Sequence, residues 1–426
     1  MQQKSDSSMR IDTKELPEDF RRMMTEVLGK EEYKFLAEAL SLPAPTSIRI
    51  NPKKVAAEEL AMLKEAERVP WCKDGFYLKE RPSFTFDPLF HAGCYYVQEA
   101  SSMFLAHILK QYVQEPIVAL DLCAAPGGKS TLALSELPEG SLLMANEVVR
   151  QRANILAENI TKWGQSNCIV TNNYAEDFQA FSDVFDLIIC DAPCSGEGMF
   201  RKDPASIEEW SLANVEVCWK RQRDIVSNIW HTLKENGLFI YSTCTYNPKE
   251  DEENVAWMAE TLGAEVLSCH PLKEWGLTEM NTHFYPHRVQ GEGFFISVLR
   301  KTADEEEGNS HRQKNKSERL LQLARRTLKV VYAGMEDPMQ TDKHGRPNHS
   351  LAMLNNLNRE VFPMVEVSEE QAIAYLRTEA LQLSADTPKG YVIITYQGHP
   401  LGFVKNIGNR ANNLYPAEWR IRKTNF

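Results

Sequence analysis

The chain has 426 residues, of which 43% are hydrophobic and 25% are charged. This length suits two or three domains, and the composition excludes a wholly disordered or fibrous protein. The net charge of −11 argues against a surface that binds nucleic acid everywhere, although local basic patches remain possible.

The sequence shows no membrane span, secretion signal or metal motif. No run approaches the ~18 apolar residues that a membrane helix needs, and the opening MQQKSDSSMRIDTKELPEDF lacks a signal pattern. Nine cysteines without a C-x-x-C pair favour reduced thiols over disulfides or a zinc site. His283 and His287 have helical spacing, but Pro286 between them breaks a helix. We expect a cytoplasmic protein without a membrane or metal partner.

The N-terminal region, 1–92, mixes two kinds of pattern. Apolar residues recur at helical spacing from Phe20 to Leu40, and Thr46–Asn51 has the composition of a short strand. We predict an α+β module.

From Ile117 onward, short apolar runs alternate with helical segments. The predicted strands are Ile117–Leu122, Leu142–Ala145, Ile169–Thr171, Phe185–Cys190, Leu238–Tyr241 and Phe294–Val298, and the predicted helices are Ser130–Leu137, Val148–Lys162, Leu212–Lys234 and Lys249–Thr261. This alternation predicts a doubly wound α/β domain with a parallel sheet, which we assign to 93–302. Ligands bind such sheets at the carboxyl ends of the strands.

The composition changes after residue 302. An acidic segment, 303–308, precedes a basic one, 310–330, and we interpret 303–380 as a linker and a basic helical region. Apolar runs at Tyr391–Thr395 and Leu401–Val404 then flank a Gln-Gly turn. They predict a small β-rich module at 381–426.

The first predicted strand of the α/β domain runs into a glycine turn with the sequence LDLCAAPGGKS at 120–130. Glycines permit positive φ and let the backbone approach a ligand closely. The Gly-Lys-Ser-Thr run suggests a phosphate-binding loop, but that loop also needs a glycine where Cys123 stands. We therefore set nucleoside triphosphate hydrolysis aside.

The next two strand ends carry groups that suit a nucleoside. Glu147 follows the second strand, where a carboxylate can accept both hydroxyl groups of a ribose. Asn172 and Asn173 follow the third strand, and either amide could bond to an adenine edge. Together with the glycine turn, these residues predict a site for an adenosine ligand that lacks phosphates.

The fourth and fifth strands each end in a loop that contains a cysteine. The loops are DAPCSGEG at 191–198, with Cys194, and YSTCTYNP at 241–248, with Cys244. Because parallel strands end at the same rim of a sheet, both thiols should lie there. Their Gly, Ser, Thr and Pro neighbours make a buried structural role less expected than for the other cysteines.

CAAPGGK, DAPCSGEG and YSTCT, in this order and spacing, resemble the Sun/RsmF (NSUN-type) family of S-adenosylmethionine-dependent RNA cytosine-5 methyltransferases. The likeness extends to GCYYVQEASS at 93–102, to DEEN at 251–254 and to the tail from Pro400 to Arg420, which resembles the PUA-like end of the bacterial RsmF branch. The resemblance implies a class I methyltransferase with a Rossmann-like doubly wound sheet. It also implies an N-terminal α+β RNA-binding module and a C-terminal PUA-like β-rich module that binds RNA.

The resemblance also implies roles for individual residues. S-adenosylmethionine would be held by Cys123, Ala124, Ala125, Pro126, Gly127, Gly128, Lys129, Glu147, Asn173 and Asp191. The family often has an aspartate near Asn173, so the adenine contact stays open among Asn172, Asn173 and Tyr174. Cys244 stands at the nucleophile position and Cys194 at the position of the second cysteine.

Carbon 5 of cytosine becomes nucleophilic when a thiolate, here Cys244, adds to carbon 6. Asp191, if buried and protonated, would donate a hydrogen bond to ring N3, and Cys194 would remove the carbon-5 proton. The target base must be unpaired or turned out of its stack.

Basic side chains outside the α/β domain are candidates for contacts with RNA. We predict RNA contacts for a basic trio, Arg325, Arg326 and Lys329, and for Arg420. The expected partner of this monomer is small-subunit (16S) ribosomal RNA or the 30S subunit. The alternatives are a transfer RNA methyltransferase and a non-catalytic rRNA-binding assembly factor, although an assembly factor has no need of the two thiols.

Overall fold

The computed structural model describes residues 16–302, 316–334, 341, 345–358 and 360–423. Three sheets organise these residues, with four, nine and four strands. No helix in the described ranges is long and apolar enough to cross a membrane. The acidic segment that we expected to be a linker, 303–308, lies outside the described residues.

The N-terminal module combines three α-helices with a four-stranded sheet in the order β2-β3-β1-β4. Its elements are α1 (Glu18–Leu28), α2 (Lys30–Leu40), β1 (Thr46–Ile50), β2 (Glu67–Arg68), β3 (Gly75–Leu78), α3 (Pro88–His91) and β4 (Tyr95–Val97). The helical pattern from Phe20 to Leu40 forms two helices because Gly29, with φ 81°, ends the first. Since β4 pairs with β1, the module continues past residue 92, where we expected it to end.

The central sheet has the strand order β10-β12-β9-β8-β5-β6-β7-β13, with β11 paired to β12. Its domain contains α4 (Leu105–Tyr112), β5 (Val118–Asp121), α5 (Gly128–Glu136), β6 (Leu142–Asn146), α6 (Arg150–Trp163), β7 (Cys168–Thr171), β8 (Phe185–Asp191), α7 (Pro204–Glu209), α8 (Leu212–Ile229), β9 (Leu233–Thr243), α9 (Glu252–Leu262), β10 (Ala264–Leu267), β11 (Thr282–His283), β12 (Phe295–Lys301), α10 (Lys316–Thr327) and β13 (Val330–Ala333). Strands β5 to β9 are parallel, which confirms the doubly wound α/β prediction. Strand β12, which we expected to be parallel, pairs antiparallel with β9.

The order of the parallel strands creates a switch point between β5 and β8. From β5 the chain first adds β6 and β7 on one side, and then β8 and β9 on the other. Ligands bind to this fold class in the crevice at such a point. The glycine turn after β5 and the two cysteine loops after β8 and β9 therefore meet at one edge of the sheet.

The basic segment after residue 315 belongs to the central domain rather than to a separate region. Strand β13 pairs antiparallel with β7 at the edge of the nine-stranded sheet. On α10, Leu320 and Ala324 are buried in the core of this sheet, and so is Leu328 just beyond the helix. We had assigned 303–380 to a separate linker and basic helical region, but this apolar face attaches α10 to the central domain.

The end of α8 also differs from the sequence prediction, which continued the helix to Lys234. The helix ends at Ile229, and Leu233 and Lys234 begin the long strand β9. Sheet pairing with β8, whose register shifts between Phe185 and Leu187, overrides the local helical pattern.

The C-terminal module is β-rich, as predicted. It contains α11 (His349–Met353), β14 (Met364–Glu366), α12 (Glu369–Leu376), β15 (Gly390–Tyr396), β16 (His399–Asn406) and β17 (Ala411–Asn413), in the sheet order β14-β15-β16-β17. Since β14 pairs with β15, the module begins before residue 381, where we expected its start. Ile373 and Val392 share one apolar core with Ile48 and Phe76, so this module packs against the N-terminal sheet.

Helix α1 lies against the segments that follow the two cysteine loops. The Phe20 ring is fully buried. Its centroid lies 5.2 Å from that of Phe200 and 5.7 Å from that of Trp210, both edge-on, and 6.5 Å from that of Tyr246. The N-terminal helices thus support the edge of the central sheet that carries the thiols.

Candidate active site

The two thiols predicted to act together are adjacent. Strands β8 and β9 pair in parallel, with Asp191 opposite Ser242, so the loops after them start side by side. The Sγ atoms of Cys194 and Cys244 lie 3.1 Å apart, and the Cys244 backbone N–H donates to Cys194 Sγ at 3.3 Å. Both residues are partly exposed, as is Cys123, whereas the other six cysteines are buried.

The environment of the thiols disfavours loss of the proton from Cys194. The hydrogen bond with Cys244, together with burial and the charge of that sulfur, raises the pKa of Cys194 well above its usual value. A second charge lies nearby. Burial tends to lower the pKa of Lys129, but Asp191, Asp121 and the Cys244 sulfur raise it above its usual value. A lysine ammonium close to a thiol stabilises the thiolate.

Asp191 differs from the buried, protonated donor that we considered. About 35% of its side chain is exposed, and its Oδ2 lies 2.8 Å from Lys129 Nζ. Its Oδ1 accepts a hydrogen bond from Ser242 Oγ at 2.8 Å. In this ion pair the Asp191 carboxylate offers acceptor oxygens, and the Lys129 ammonium is the donor beside it. We had assigned Lys129 only to the cofactor.

The glycine turn fits the expected cofactor loop. Gly127 has φ 119° and precedes α5, and a Cβ added there would lie 3.3 Å from Leu156. Beneath the turn, Asp121 is fully buried, and its Oδ2 accepts a hydrogen bond from Ser130 Oγ at 2.6 Å. Its Oδ1 has no protein partner among the described residues. This unpaired oxygen is a polar atom that a polar group of the cofactor could satisfy. Burial raises the pKa of Asp121 to about 7.

Glu147 follows β6 as predicted, and its carboxylate is held in place by protein groups. Its Oε1 accepts a hydrogen bond from the Val149 backbone N–H at 2.9 Å. Its Oε2 lies 3.4 Å from Arg152 Nη1, and Arg152 Nη2 donates to the Ala125 carbonyl at 2.7 Å. Arg152, which sequence reasoning missed, therefore connects the glycine turn to the predicted ribose acid.

The residues considered for adenine differ in their availability. Asn172 is buried and donates to the Glu147 and Val148 carbonyls, each at 2.8 Å. Asn173 Oδ1 accepts from the Lys329 backbone N–H at 2.9 Å, and its second lone pair could still accept from an adenine amine. Tyr174 is 64% exposed.

The predicted RNA-binding residues lie away from the thiol loops. The basic trio is exposed at the end of α10 and the start of β13, next to β7, and Arg420 is exposed in the C-terminal module. In the central sheet, strands β5, β6 and β7 separate β13 from β8.

Sequence reasoning also missed two buried carboxylates behind the thiols, Glu197 and Glu250. Both are fully buried, and both accept hydrogen bonds from the two cysteine loops. The only sequence signal was their position, each a few residues after a cysteine in a loop of small polar residues.

The group that most resembles a metal site contains no pair of histidines. Asp251, Glu252 and His283 each offer a ligand atom within 4.8 Å of the others. His283 Nε2 lies 2.7 Å from Glu252 Oε1, and Thr243 Oγ1 donates to Asp251 Oδ1 at 2.6 Å. His287 instead faces Glu32, at 3.0 Å. Each of these three side chains also keeps one buried polar atom without a partner among the described residues. The expected lack of a metal stays a prediction.

Comparison with known proteins agrees with this architecture module by module. Three family profiles match the chain: "16S rRNA methyltransferase RsmB/F" at 106–300, "N-terminal domain of 16S rRNA methyltransferase RsmF" at 16–100 and "Methyltransferase RsmF PUA domain" at 362–421. Ribosomal RNA small subunit methyltransferase F of Enterobacter sp. (strain 638) is 30% identical over 94% of this chain and 95% of its own length. The chain belongs to the RsmB/F family. It is thus an rRNA methyltransferase by family, of the RsmF branch, and its C-terminal module is a PUA domain.

Other relatives agree with this membership. Ribosomal RNA small subunit methyltransferase F of Escherichia coli O9:H4 (strain HS) is 30% identical over 90% of this chain and 92% of its own length. Among solved structures, a methyltransferase homolog protein from Pyrococcus horikoshii has a TM-score of 0.57 at 28% identity, covering 67% of this chain and 95% of that one. NSun6 from the same organism, solved with SFG, shares the fold with a TM-score of 0.58 at 23% identity, covering 68% of this chain and 99% of that one. The predicted family and fold are therefore confirmed.

Proposed function

We propose that this RsmF-branch protein methylates carbon 5 of an unpaired cytosine in 16S rRNA through a transient bond between Cys244 and ring carbon 6. The observation that carries the proposal is the 3.1 Å approach of two partly exposed thiols beside the Lys129–Asp191 pair. S-adenosylmethionine, when bound, supplies the methyl group as an electrophilic sulfonium carbon. The NSun6 structure that shares this fold contains SFG, an analogue of that cofactor.

The cofactor would lie over the glycine turn. The backbone of 123–129 would surround it, Asp121 Oδ1 would face its polar end, and Glu147 would accept hydrogen bonds from the ribose hydroxyls. Asn173 would accept a hydrogen bond from the adenine amine, and Asp191 would stand between the cofactor and the target base. Two observations support this placement: Asp121 Oδ1 has no partner among the described residues, and Gly127 has a positive φ that shapes the turn.

The Lys129–Asp191 pair complements cytosine rather than uracil. Cytosine presents an N4 amine that donates and an N3 and O2 that accept. An acceptor carboxylate next to a donor ammonium, 2.8 Å apart, matches that pattern, whereas uracil would turn an oxygen toward Asp191. This pairing supports cytosine as the target base.

The reaction then proceeds through the two thiols. The Cys244 thiolate, stabilised by the Lys129 ammonium, adds to carbon 6, and the displaced electron pair makes carbon 5 nucleophilic. After carbon 5 has received the methyl group, it still carries its proton. Bonding to carbon 6 neutralises the Cys244 sulfur and so removes part of what raises the pKa of Cys194. Cys194 can then lose its proton to solvent and take the proton from carbon 5, and the electron pair re-forms the ring double bond and expels Cys244.

Two cysteine variants test this order of events. Cys244→Ala should abolish methylation and adduct formation, whereas Cys194→Ala should allow methyl transfer and accumulate a protein–RNA adduct. Cys269→Ala, which removes a buried thiol elsewhere in the domain, is the control and should do neither. Denaturing gels measure the adduct, and mass analysis of digested RNA measures 5-methylcytosine.

The same assay separates the substrate classes. Naked 16S rRNA, 30S subunits and transfer RNA are each offered with labelled cofactor. Modification of transfer RNA alone would favour the transfer RNA alternative, and no modification of any RNA would favour a non-catalytic assembly factor. 5-Methylcytosine formed by the Cys244→Ala protein would refute the assignment of the nucleophile.

A further inference from the structure

Behind the two thiols lies a buried polar cluster that the mechanism above does not use. It centres on Glu197, three residues after Cys194, and Glu250, six residues after Cys244, and both side chains are fully buried. Carboxylates are seldom fully buried unless every oxygen is satisfied, because their desolvation is costly. Their partners therefore indicate what they hold in place.

Each carboxylate reaches across to the loop that carries the other thiol. Glu250, on the Cys244 loop, accepts hydrogen bonds from the backbone N–H of Ser195, at 3.1 Å, and from its hydroxyl. Glu197, on the Cys194 loop, accepts a hydrogen bond from the Thr245 hydroxyl. Ser195 and Thr245 are the residues directly after the two cysteines.

Further donors fix the two carboxylates. Asn247 Nδ2 donates to Glu250 Oε1 at 2.8 Å and to Glu197 Oε1 at 3.0 Å. Trp210 Nε1 donates to Glu197 at 2.8 Å, and Gln222 Nε2 donates to Glu250 at 2.6 Å. Among the described residues, the side chains that donate to these two carboxylates are all neutral. The cluster therefore orients groups rather than pairing charges.

A proton on Glu250 makes the two buried acids compatible. Burial, followed by the charge of Glu197, raises the pKa of Glu250 to about 7. The Ser195 hydroxyl also lies 3.1 Å from Glu197 Oε2. A proton on Glu250 can therefore be accommodated when that hydroxyl turns toward Glu197.

We propose that Glu197 and Glu250 form a reciprocal clamp, in which each carboxylate positions the cysteine of the opposite loop. The clamp rests on the proposed function only for the chemical roles of the two thiols. Glu250 holds Cys194 through Ser195 and thereby sets product release, and Glu197 holds Cys244 through Thr245 and thereby sets the addition to carbon 6. Neither is a catalytic residue, since neither touches the reacting atoms.

Replacing either carboxylate by an amide should separate these two effects. Each carboxylate has at least three donors besides the Ser195 hydroxyl, which it shares with the other. A glutamine offers one oxygen and turns an NH₂ group toward the remaining donors, so buried donors lose their partners. A displacement near 1 Å costs about 100-fold in rate. Glu250→Gln should slow adduct release by about 10- to 100-fold, so that the adduct accumulates. Glu197→Gln should slow adduct formation by a similar factor, without accumulation.

A second measurement needs no RNA and no assignment of roles. Diamide takes two electrons and two protons from a pair of thiols and leaves a disulfide, and peptide mass analysis measures the bond between Cys194 and Cys244. The rate should fall about tenfold in each glutamine variant, because the sulfur atoms are no longer held together. Glu253→Gln, the same change at an exposed position near Glu250, is the control and should leave the rate unchanged.

Thr245→Val guards against a folding failure, since it removes only the hydroxyl that meets Glu197. It should reproduce the slower adduct formation of Glu197→Gln while cofactor affinity, measured by calorimetry, stays at the wild-type value. Unchanged diamide rates in both glutamine variants would overturn the clamp, whatever the RNA assay gives. If diamide oxidation is slower in the glutamine variants but Cys194→Ala forms no adduct, the clamp is supported and the proposed roles of the thiols are refuted. Slower diamide rates with unaltered adduct kinetics would refute the link between the clamp and catalysis.

Discussion

The Phe20 ring offers a test of whether the N-terminal helices support the thiol loops. Phe20 is fully buried, with two edge-on aromatic partners at 5.2 and 5.7 Å. Replacing a buried phenylalanine with alanine costs about 3–5 kcal/mol, and each aromatic pair contributes roughly 0.5–1.5 kcal/mol beyond the buried area. We expect Phe20→Ala to cost about 4 kcal/mol, concentrated where α1 meets Phe200 and Trp210.

Native-state hydrogen exchange measures this loss locally, and it avoids the assumption that a multidomain chain unfolds in one step. A loss of about 4 kcal/mol corresponds to roughly 10³-fold faster exchange, for amides in α1 and between residues 200 and 210. Phe20→Leu, which keeps most of the volume, should cost less than about 1.5 kcal/mol. Val27→Ala, on the same helix at a residue that is 38% exposed, should stay within about 0.5 kcal/mol.

Methylation should fall with Phe20→Ala as well, because Tyr246 lies against the same ring and stands two residues after Cys244. Exchange that accelerates less than about tenfold in both segments would refute this account of the contact. So would acceleration spread evenly over the PUA domain.

Three other predictions concern protonation, loop contact and RNA. Native Asp121 keeps its proton up to about pH 7, whereas the unfolded side chain loses it near pH 3.8. Between these pH values the native state binds more protons than the unfolded state. The free energy of unfolding therefore falls as the pH rises from 3.8 to about 7. Asp121→Asn removes this dependence on pH. Denaturant titrations should show the free energy of unfolding of the variant, relative to that of the wild type, rising by up to roughly 4 kcal/mol between pH 4 and 8. A difference that stays constant with pH would contradict this. Gly198→Ala puts a Cβ 2.9 Å from the Cys244 carbonyl oxygen. Transfer of the radiolabelled methyl group should drop about 100-fold, while cofactor affinity is retained. Full activity would exclude a tight contact between the two cysteine loops. Changing the basic trio to glutamine should weaken RNA binding and reduce the slope of log K against log salt by about 2, and an unaltered slope would remove the trio from the interface.

The residues that carry the chemistry of the site could be predicted from the sequence, whereas the residues that hold them in place could not. The two cysteine loops and the glycine turn follow strands whose apolar runs are unambiguous, so their common rim follows from the order of elements alone. The ion pair between Lys129 and Asp191 could not be anticipated, because partners 62 residues apart are brought together by the parallel pairing of β5 with β8. The buried carboxylates escaped notice because a glutamate in a polar loop is normally solvated.

Domain limits were predicted less well for a related reason. The basic segment after residue 315 is mostly charged, but three apolar side chains at helical spacing suffice to attach it to the central core. Likewise, β4 and β14 are only three residues long, and each belongs to its module because of a strand partner distant in sequence. Local composition does not carry that information.

The apolar core shared by the N-terminal sheet and the PUA domain has a consequence for how the enzyme could select the nucleotide that it modifies. Both ends of the described chain meet in one body, with Ile48 and Phe76 beside Ile373 and Val392, and the central domain is fastened to that body. An RNA bound to the PUA domain would therefore be held at a fixed distance from the sulfur atoms of Cys194 and Cys244. We expect the shape of the RNA between the PUA domain and the thiols to decide which nucleotide reaches them.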